Sequence, residues 1–370
     1  MTIGRGILLG LVLASAALVA PGRAAAPPDV FTVAAVPVDA TAANAAAARD
    51  EARADGERHA YEILLDRLTL ASDRARLPAA NESRLNNLLA GYEVANERVS
   101  GVRYLANYTY HFRPDAVRQL LRQANIPFAE TPSRPVVVLA IWQGDSGPAL
   151  WEDPNPWRDA WGQHPPQWGL VPFVIPYGEL EDVQAIDGAA AVAGDAAHLQ
   201  AIAQRYGGAD LLVTQAKLTA SPAPASLAVT TTRYDPTGAM PPQSWNKTYV
   251  AAADESEADL LAAAVAGTAA RVEDAWKTAN IIDFGHTASI TVRVPLDGIQ
   301  SWIAIRNRLA GIPAIRRTEL VSLDQAQARL TLDYYGGPDQ LRQALEQRNL
   351  ELSGTDPDWV LAQHDAAAQP

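Results

Sequence analysis

Five of the chain's nine tryptophans, Trp142, Trp151, Trp157, Trp161 and Trp168, fall within the stretch WQGDSGPALWEDPNPWRDAWGQHPPQW. An indole offers a large amphipathic face suited to a sugar ring, a peptide or a partner protein, and such residues dominate binding hot spots. Trp157 and Trp161 are four residues apart, so a short helix puts both on one face. Asn155 precedes them and adds an amide that can both donate and accept. The candidate contact set of this stretch is therefore Trp151, Asn155, Trp157, Trp161 and Trp168. A competing expectation is that the stretch folds over its own sheet and its rings form a satellite core, since loops this long need internal packing to stay ordered.

A second candidate is the acidic turn Gly178-Glu179-Leu180-Glu181-Asp182, with Asp187 close behind. Glu179 and Asp182 join the candidate contact set. Carboxylates gathered at a strand end can bind a hard cation or work as an acid and base pair. The regular ligand spacing of a calcium loop is absent, and a solvated turn at a helix N-terminus accounts for the same residues. None of the six histidines, His59, His111, His164, His198, His286 and His364, has a partner at i+3 or i+4. With no cysteine in the chain, no zinc-ligand pattern exists and no metal is expected. No nucleophile elbow, dinucleotide fingerprint or phosphate loop occurs, so no catalytic residue and no cofactor is assigned.

Composition narrows the class further. Thirty Lys and Arg against 42 Asp and Glu give a net charge of −12 over 370 residues, which argues against a nucleic-acid partner. Hydrophobic content of 48% and charged content of 19% are those of a folded chain. The absence of cysteine excludes disulfides, catalytic thiols and a lipidated cysteine. At the N-terminus, Arg5 precedes the uncharged apolar run Ile7–Ala20, and small residues stand at Gly22 and Ala24. This is the pattern of a signal peptide spanning 1–24, cleaved after Ala24. The run is too short to span a bilayer, and no later stretch is long and apolar enough, so a soluble periplasmic protein with no transmembrane segment after cleavage is expected.

The elements that must position these residues follow from periodicity. Residues 28–130 read as a βα(α)βα unit, with a strand at 31–38, a helix at 43–70, a shorter helix ending at Gly91, the Tyr-rich strand 102–112 and a helix opened by Pro114. Residues 134–282 read as an α/β domain. RPVVVLAIW is a strand buried on both faces, the Trp-rich insert occupies 143–169, and LVPFVIPY is a returning strand. A capped helix from Asp195, a strand from Asp210, a hairpin around Asp235-Pro-Thr-Gly238 and a long helix follow. In that helix Leu261, Val265, Thr268, Val272 and Trp276 make one buried stripe. Residues 287–353 read as a ferredoxin-like βαββαβ domain, and 354–370 as a loose tail. The fold class is thus α/β and α+β, a helix-flanked mixed-sheet domain with a C-terminal ferredoxin-like domain.

RPVVVLAIW, LWEDPNPWRDAW, LVPFVIPYGELEDV and RYGGADLLV, in that order after a β-α start and a Tyr-rich strand, resemble the proteobacterial envelope family catalogued as domain of unknown function 2066. The similarity spans roughly residues 28–280. It implies an exported α/β protein and brings no activity, substrate, cofactor or catalytic residue. At the level of fold, the α/β part is also similar to sheet-helix domains of periplasmic adaptors such as the N-terminal domain of the Tol translocation protein. The leading expectation is a non-catalytic periplasmic binding or scaffolding protein that meets an envelope protein or a small ligand through the Trp-rich insert and the acidic turn. The alternatives are a carboxylate-dependent envelope hydrolase using Glu179, Glu181 and Asp182, and an oligomeric component assembled through the sheet edges of the C-terminal domain.

Overall fold

The first unit runs β1 (Thr32–Thr41), α1 (Ala45–Leu68), a 3-10 turn (Ala71–Arg76), α2 (Glu82–Leu88), β2 (Leu89–Val99), β3 (Arg103–Phe112) and α3 (Pro114–Gln123). The computed structural model describes residues 29–164, 169–219, 224–235, 241–282, 286–310 and 312–363; the expected signal peptide 1–24, Trp168, His364 and the turn residues after Asp235 lie outside them. The sheet is antiparallel in the order β1-β3-β2. Tyr104, Tyr108, Tyr110 and Phe112 alternate along β3 and are all buried, in one core with Ala60, Tyr61, Leu64 and Leu68 of α1. Helix α1 starts where Asn44 Oδ1 accepts from Ala47 N at 2.9 Å. It passes close over the sheet at Gly56, where an added Cβ would stand 2.8 Å from Val38 Cγ1. Strand β2 was not expected. It is exposed along most of its length, so it carries no in–out alternation to reveal it.

The second unit holds β4 (Val136–Gly144), β5 (Gly147–Ala149), α4 (Pro156–Gln163), β6 (Phe173–Val174), α5 (Leu180–Ala185), α6 (Gly188–Ala193), α7 (Ala196–Arg205), β7 (Asp210–Thr219), β8 (Ser226–Tyr234), β9 (Gln243–Val250) and α8 (Glu257–Asn280). Its mixed sheet has the order β5-β4-β7-β8-β9, with β6 beside the start of β4. Strands β4 and β7 are parallel. Val136 to Ile141 are buried without a break because the sheet is covered twice. Val136, Val138 and Ala140 face a core with α4 and α8, while Val137, Leu139 and Ile141 face one with α6 and α7. Every member of the predicted stripe on α8 is buried. The strand expected over 170–177 shrinks to Phe173–Val174, because the prolines Pro172 and Pro176 flank it and cannot donate to a ladder.

The third unit runs β10 (Thr287–Pro295), α9 (Ile299–Leu309), β11 (Ile315–Leu323), β12 (Gln327–Tyr335), α10 (Pro338–Glu346), β13 (Leu350–Ser353) and β14 (Trp359–Gln363). The βαββαβ order is that of a ferredoxin-like domain, and its sheet reads β11-β12-β10-β14-β13. The loose tail expected from 354 onward is corrected here. Residues 359–363 form β14, parallel to β10 through Val292 and Trp359 and antiparallel to β13 through Leu352 and Leu361. Burial of Trp359 and Leu361 in the domain's core holds it there.

The first and third units share a βαββα order and the same order of those strands in the sheet, with a 3-10 turn and α2 added in the first. Pro114–Ile126 and Pro338–Leu350 share seven of thirteen residues: Pro, Asp, Arg, Gln, Leu, Gln and Asn at matching places. In both, the arginine pairs with the aspartate three residues before it, Arg118 with Asp115 at 2.9 Å and Arg342 with Asp339 at 2.6 Å. Both guanidinium groups also lie over an aromatic ring, Phe31 and Trp359 respectively. Both helices are followed by a left-handed asparagine, Asn125 at φ 50° and Asn349 at φ 53°. The hairpins match too. Val99 faces Tyr104 as Leu323 faces Ala328. Ser100 N donates to Arg103 O at 2.8 Å, and Asp324 N to Gln327 O at 2.9 Å.

Polar anchors join the units. Lys277 of α8 is buried and donates from Nζ to Asp66 O at 2.9 Å and Thr69 O at 2.7 Å in the first unit. Arg134 donates to Glu346 O at 3.0 Å and to Asn349 Oδ1 at 3.2 Å in the third.

Candidate interaction surface

The insert turns back onto the sheet at Asn155. This side chain is fully buried, and its Nδ2 donates to the carbonyls of Ala140, Ala149 and Leu150 at 3.0–3.2 Å. Its Oδ1 caps α4 by accepting from Arg158 N at 2.9 Å. Pro156 then sets the first turn, where its missing N–H costs nothing. The cap thus aims the helix so that Trp157 and Trp161 point inward, as their spacing predicts, but toward α8 and the sheet rather than toward a partner. Trp157 is 0% and Trp161 1% exposed. Trp157 Nε1 donates to Thr214 O at 3.2 Å, and Trp161 packs edge-on to Phe173. Trp157, Trp161 and Asn155 are therefore corrected from contact residues to core: rings and an amide that no outside molecule can reach cannot form a docking face.

Trp151 differs. It is half-buried, with Nε1 donating to Ile186 O at 2.7 Å and its ring under Gly178. Gly178 has φ +76°, and a Cβ there would stand 3.0 Å from the indole. The left-handed glycine lets the chain lie on the ring and lifts the next residues outward. Trp168, in the candidate set, lies outside the described residues.

The acidic turn is the start of α5. Asp182 is 0% exposed, and its oxygens are occupied from three sides. Oδ1 accepts from Arg205 Nε at 2.6 Å and from the Tyr206 hydroxyl at 3.1 Å, while Oδ2 accepts from Glu179 N at 3.1 Å. Arg205 also reaches Glu179 at 2.5 Å. The hydrogen bond to Asp182 raises the guanidinium above its ordinary value, and burial with the same carboxylate pushes the Tyr206 phenol up. Asp182 is thus a brace that pins α5 to the end of α7, and Glu179 and Glu181 are side chains in water that reinforce it. The acid and base pairing a hydrolase needs would set a carboxyl against a second carboxylate over open space; here the buried carboxylate faces a guanidinium instead. Among the described residues, no group of three or more His, Asp or Glu is placed to hold a metal ion.

What the braced turn presents is apolar. Tyr177 is 92%, Leu180 68% and Val183 45% exposed. Leu180 and Val183 are three apart on α5, so they share a face, and Tyr177 stands just before the left-handed glycine. Trp151 lies under the adjoining Gly178. Sequence reading missed these three because the tyrosine looked like the end of a strand and the helix is only six residues long. The usable signal was three apolar residues at spacings of three within a run of acids.

No family model matches the chain, and no curated protein or solved structure does either. No helix among the described residues is long and apolar enough to cross a membrane.

Proposed function

We propose that the chain is a non-catalytic, exported binding or scaffolding protein of the bacterial envelope, and that it meets its protein partner through the ridge of Tyr177, Leu180 and Val183. One observation carries the reading: three large apolar side chains stand in water on a turn held rigid by Asp182, Arg205 and Tyr206. Exposing such residues costs solubility and is the usual mark of an interaction site. A preorganised knob also loses less entropy on docking than a floppy loop would. The signal-peptide pattern and the family resemblance support the envelope location. The retained part of the Trp-rich insert is Trp151, which lies under Gly178 beside the ridge rather than at its contact tip.

Site-specific photocrosslinking in intact cells tests this. A photoreactive residue replacing Tyr177 or Leu180 should give one discrete adduct, absent when the reactive residue replaces exposed Val250 on the far hairpin. Leu180→Glu should abolish the Tyr177 adduct while leaving the melting temperature within a degree or two. Adducts of equal strength from every exposed position, or none from the ridge, would sink the proposal.

A further inference from the structure

The first and third units, two modules of one βαββα order, leave the same strand uncovered. Among the described residues β2 pairs with β3 alone and β11 with β12 alone, so each sheet ends on an open ladder of backbone donors and acceptors. Both open strands also expose apolar side chains, Tyr92, Val94 and Val99 in β2 and Leu320, Val321 and Leu323 in β11. Val99 and Leu323 stand at the same place in the two hairpins. A long, exposed edge with apolar side chains is a template for another strand unless charge or proline blocks it. Here neither strand contains proline, and the charge differs between the copies. Glu93 faces Thr109, and Arg317 faces Asp333, at equivalent positions of the two modules. Side chains alternate about the sheet, so both lie on the face away from the core-facing residues of their central strand. Beyond this pair, β2 adds Glu97 and Arg98, and β11 adds Arg316 and Glu319; Glu93 reaches His111 Nε2 at 3.3 Å and Arg317 reaches Glu319 at 3.3 Å, both in solvent-exposed pairs that strand addition can exchange. One edge is net acidic and the other net basic.

We infer that β2 of one copy of the chain adds antiparallel to β11 of another, with Glu93 set against Arg317, so that the first module of one copy and the third module of the next share a continuous sheet. The two strands have similar length, and each has two register shifts, one of which falls at the same place in both, between Ala95 and Arg98 and between Leu320 and Ser322. Pairing like with like would oppose Glu93 to Glu93 or Arg317 to Arg317 at this register, which is repulsive. The opposite charges select the mixed pair. Because the joined surfaces differ, the contact is head-to-tail, and each joined pair retains one free β2 edge and one free β11 edge. This association is independent of the Tyr177 ridge, which lies in the second unit.

The chain contains no cysteine, which makes the test direct. Mature protein carrying Glu93→Cys is mixed with mature protein carrying Arg317→Cys and mildly oxidised, and each is also oxidised alone. The expected result is a crosslinked dimer formed faster in the mixture than in either single population. In parallel, light scattering across a concentration series should show association of the wild type. Glu93→Arg and Arg317→Glu should each weaken it by about fivefold, and the double exchange in one chain should restore it. Circular dichroism checks that each variant is folded. A wild type that stays monomeric at all concentrations overturns the inference. So does crosslinking that is fastest in either single population, since that would make the contact like-with-like.

Discussion

Trp157 and Trp161 meet edge to face, with ring centroids 6.0 Å apart and planes at 84°, inside the core between the central sheet and α8. Their spacing of four is the reason they meet, and the Asn155 cap is the reason they meet indoors. Replacing either with alanine should therefore act on stability, by about 3–5 kcal/mol in denaturant unfolding. Trp157→Phe should cost less, since it keeps most of the ring volume and loses the bond to Thr214 O. A Trp157→Ala protein with an unchanged unfolding midpoint would mean that the insert packs elsewhere.

Much of this architecture was legible because it rests on periodicity. The run RPVVVLAIW could only be a strand covered twice, the stripe on α8 could only face a sheet, and α9 falls at the residues its Gly and Pro boundaries indicated. What escaped was structure without a period. β2 has water on both faces, and β14 is five residues beyond Pro357. The repeat escaped because its first helices differ so much, 24 residues in α1 against 11 in α9. The site escaped for another reason. A tryptophan pair on one helical face has the same signature whether it greets a ligand or a core, and only the direction of the N-cap decides.

The Asp182 brace should be visible as local rather than global stability. Asp182→Asn keeps the volume but breaks the charge-assisted bond to Arg205 Nε. Amide exchange in α5 should then speed up by roughly tenfold, while that of β4 and β7 stays as in the wild type. Uniform acceleration across the central sheet would show instead that the brace supports the whole unit.

Glu273 gives a pH dependence with a definite sign. Its carboxylate accepts from Leu170 N at 3.0 Å and Val171 N at 2.9 Å, and burial raises it above its ordinary 4.5 despite these bonds and the charges of Lys277 and Arg67. The folded chain then holds this proton more tightly than the unfolded chain. Stability due to Glu273 is full below 4.5, declines as the pH rises from there through the raised value, and is level beyond it. Glu273→Gln removes that decline. It also leaves one of the two N–H donors poorly matched, which costs about 1–2 kcal/mol at every pH. Urea midpoints measured on both sides of 4.5 should therefore give a lower but flatter curve for the variant, and an unchanged slope would assign the titration to another group.

The two left-handed asparagines allow the repeat itself to be probed. At φ 50° and 53°, Asn125 and Asn349 sit where only glycine, and to a lesser degree asparagine, is at ease. Each ends its helix by donating its N–H to a carbonyl three residues back, Arg122 O at 3.1 Å and Glu346 O at 2.9 Å, so the turn is fixed by the backbone. The backbone part of the effect should be the same in both modules, while at 349 either substitution also removes the Oδ1 that accepts from Arg134 at 3.2 Å. At 125, Asn→Gly should be neutral to within about half a kcal/mol, the relief of strain offset by a freer unfolded chain. At 125, Asn→Ala should cost about 1 kcal/mol, because a Cβ without a local hydrogen-bonding group gains nothing in that region. Denaturant unfolding of the four variants, followed separately by proteolysis of each module, checks this. A loss at 349 that equals the loss at 125 plus up to about 1 kcal/mol for the Arg134 bond follows from one shared turn, whereas a smaller loss at 349 than at 125 would show that the two turns are not equivalent.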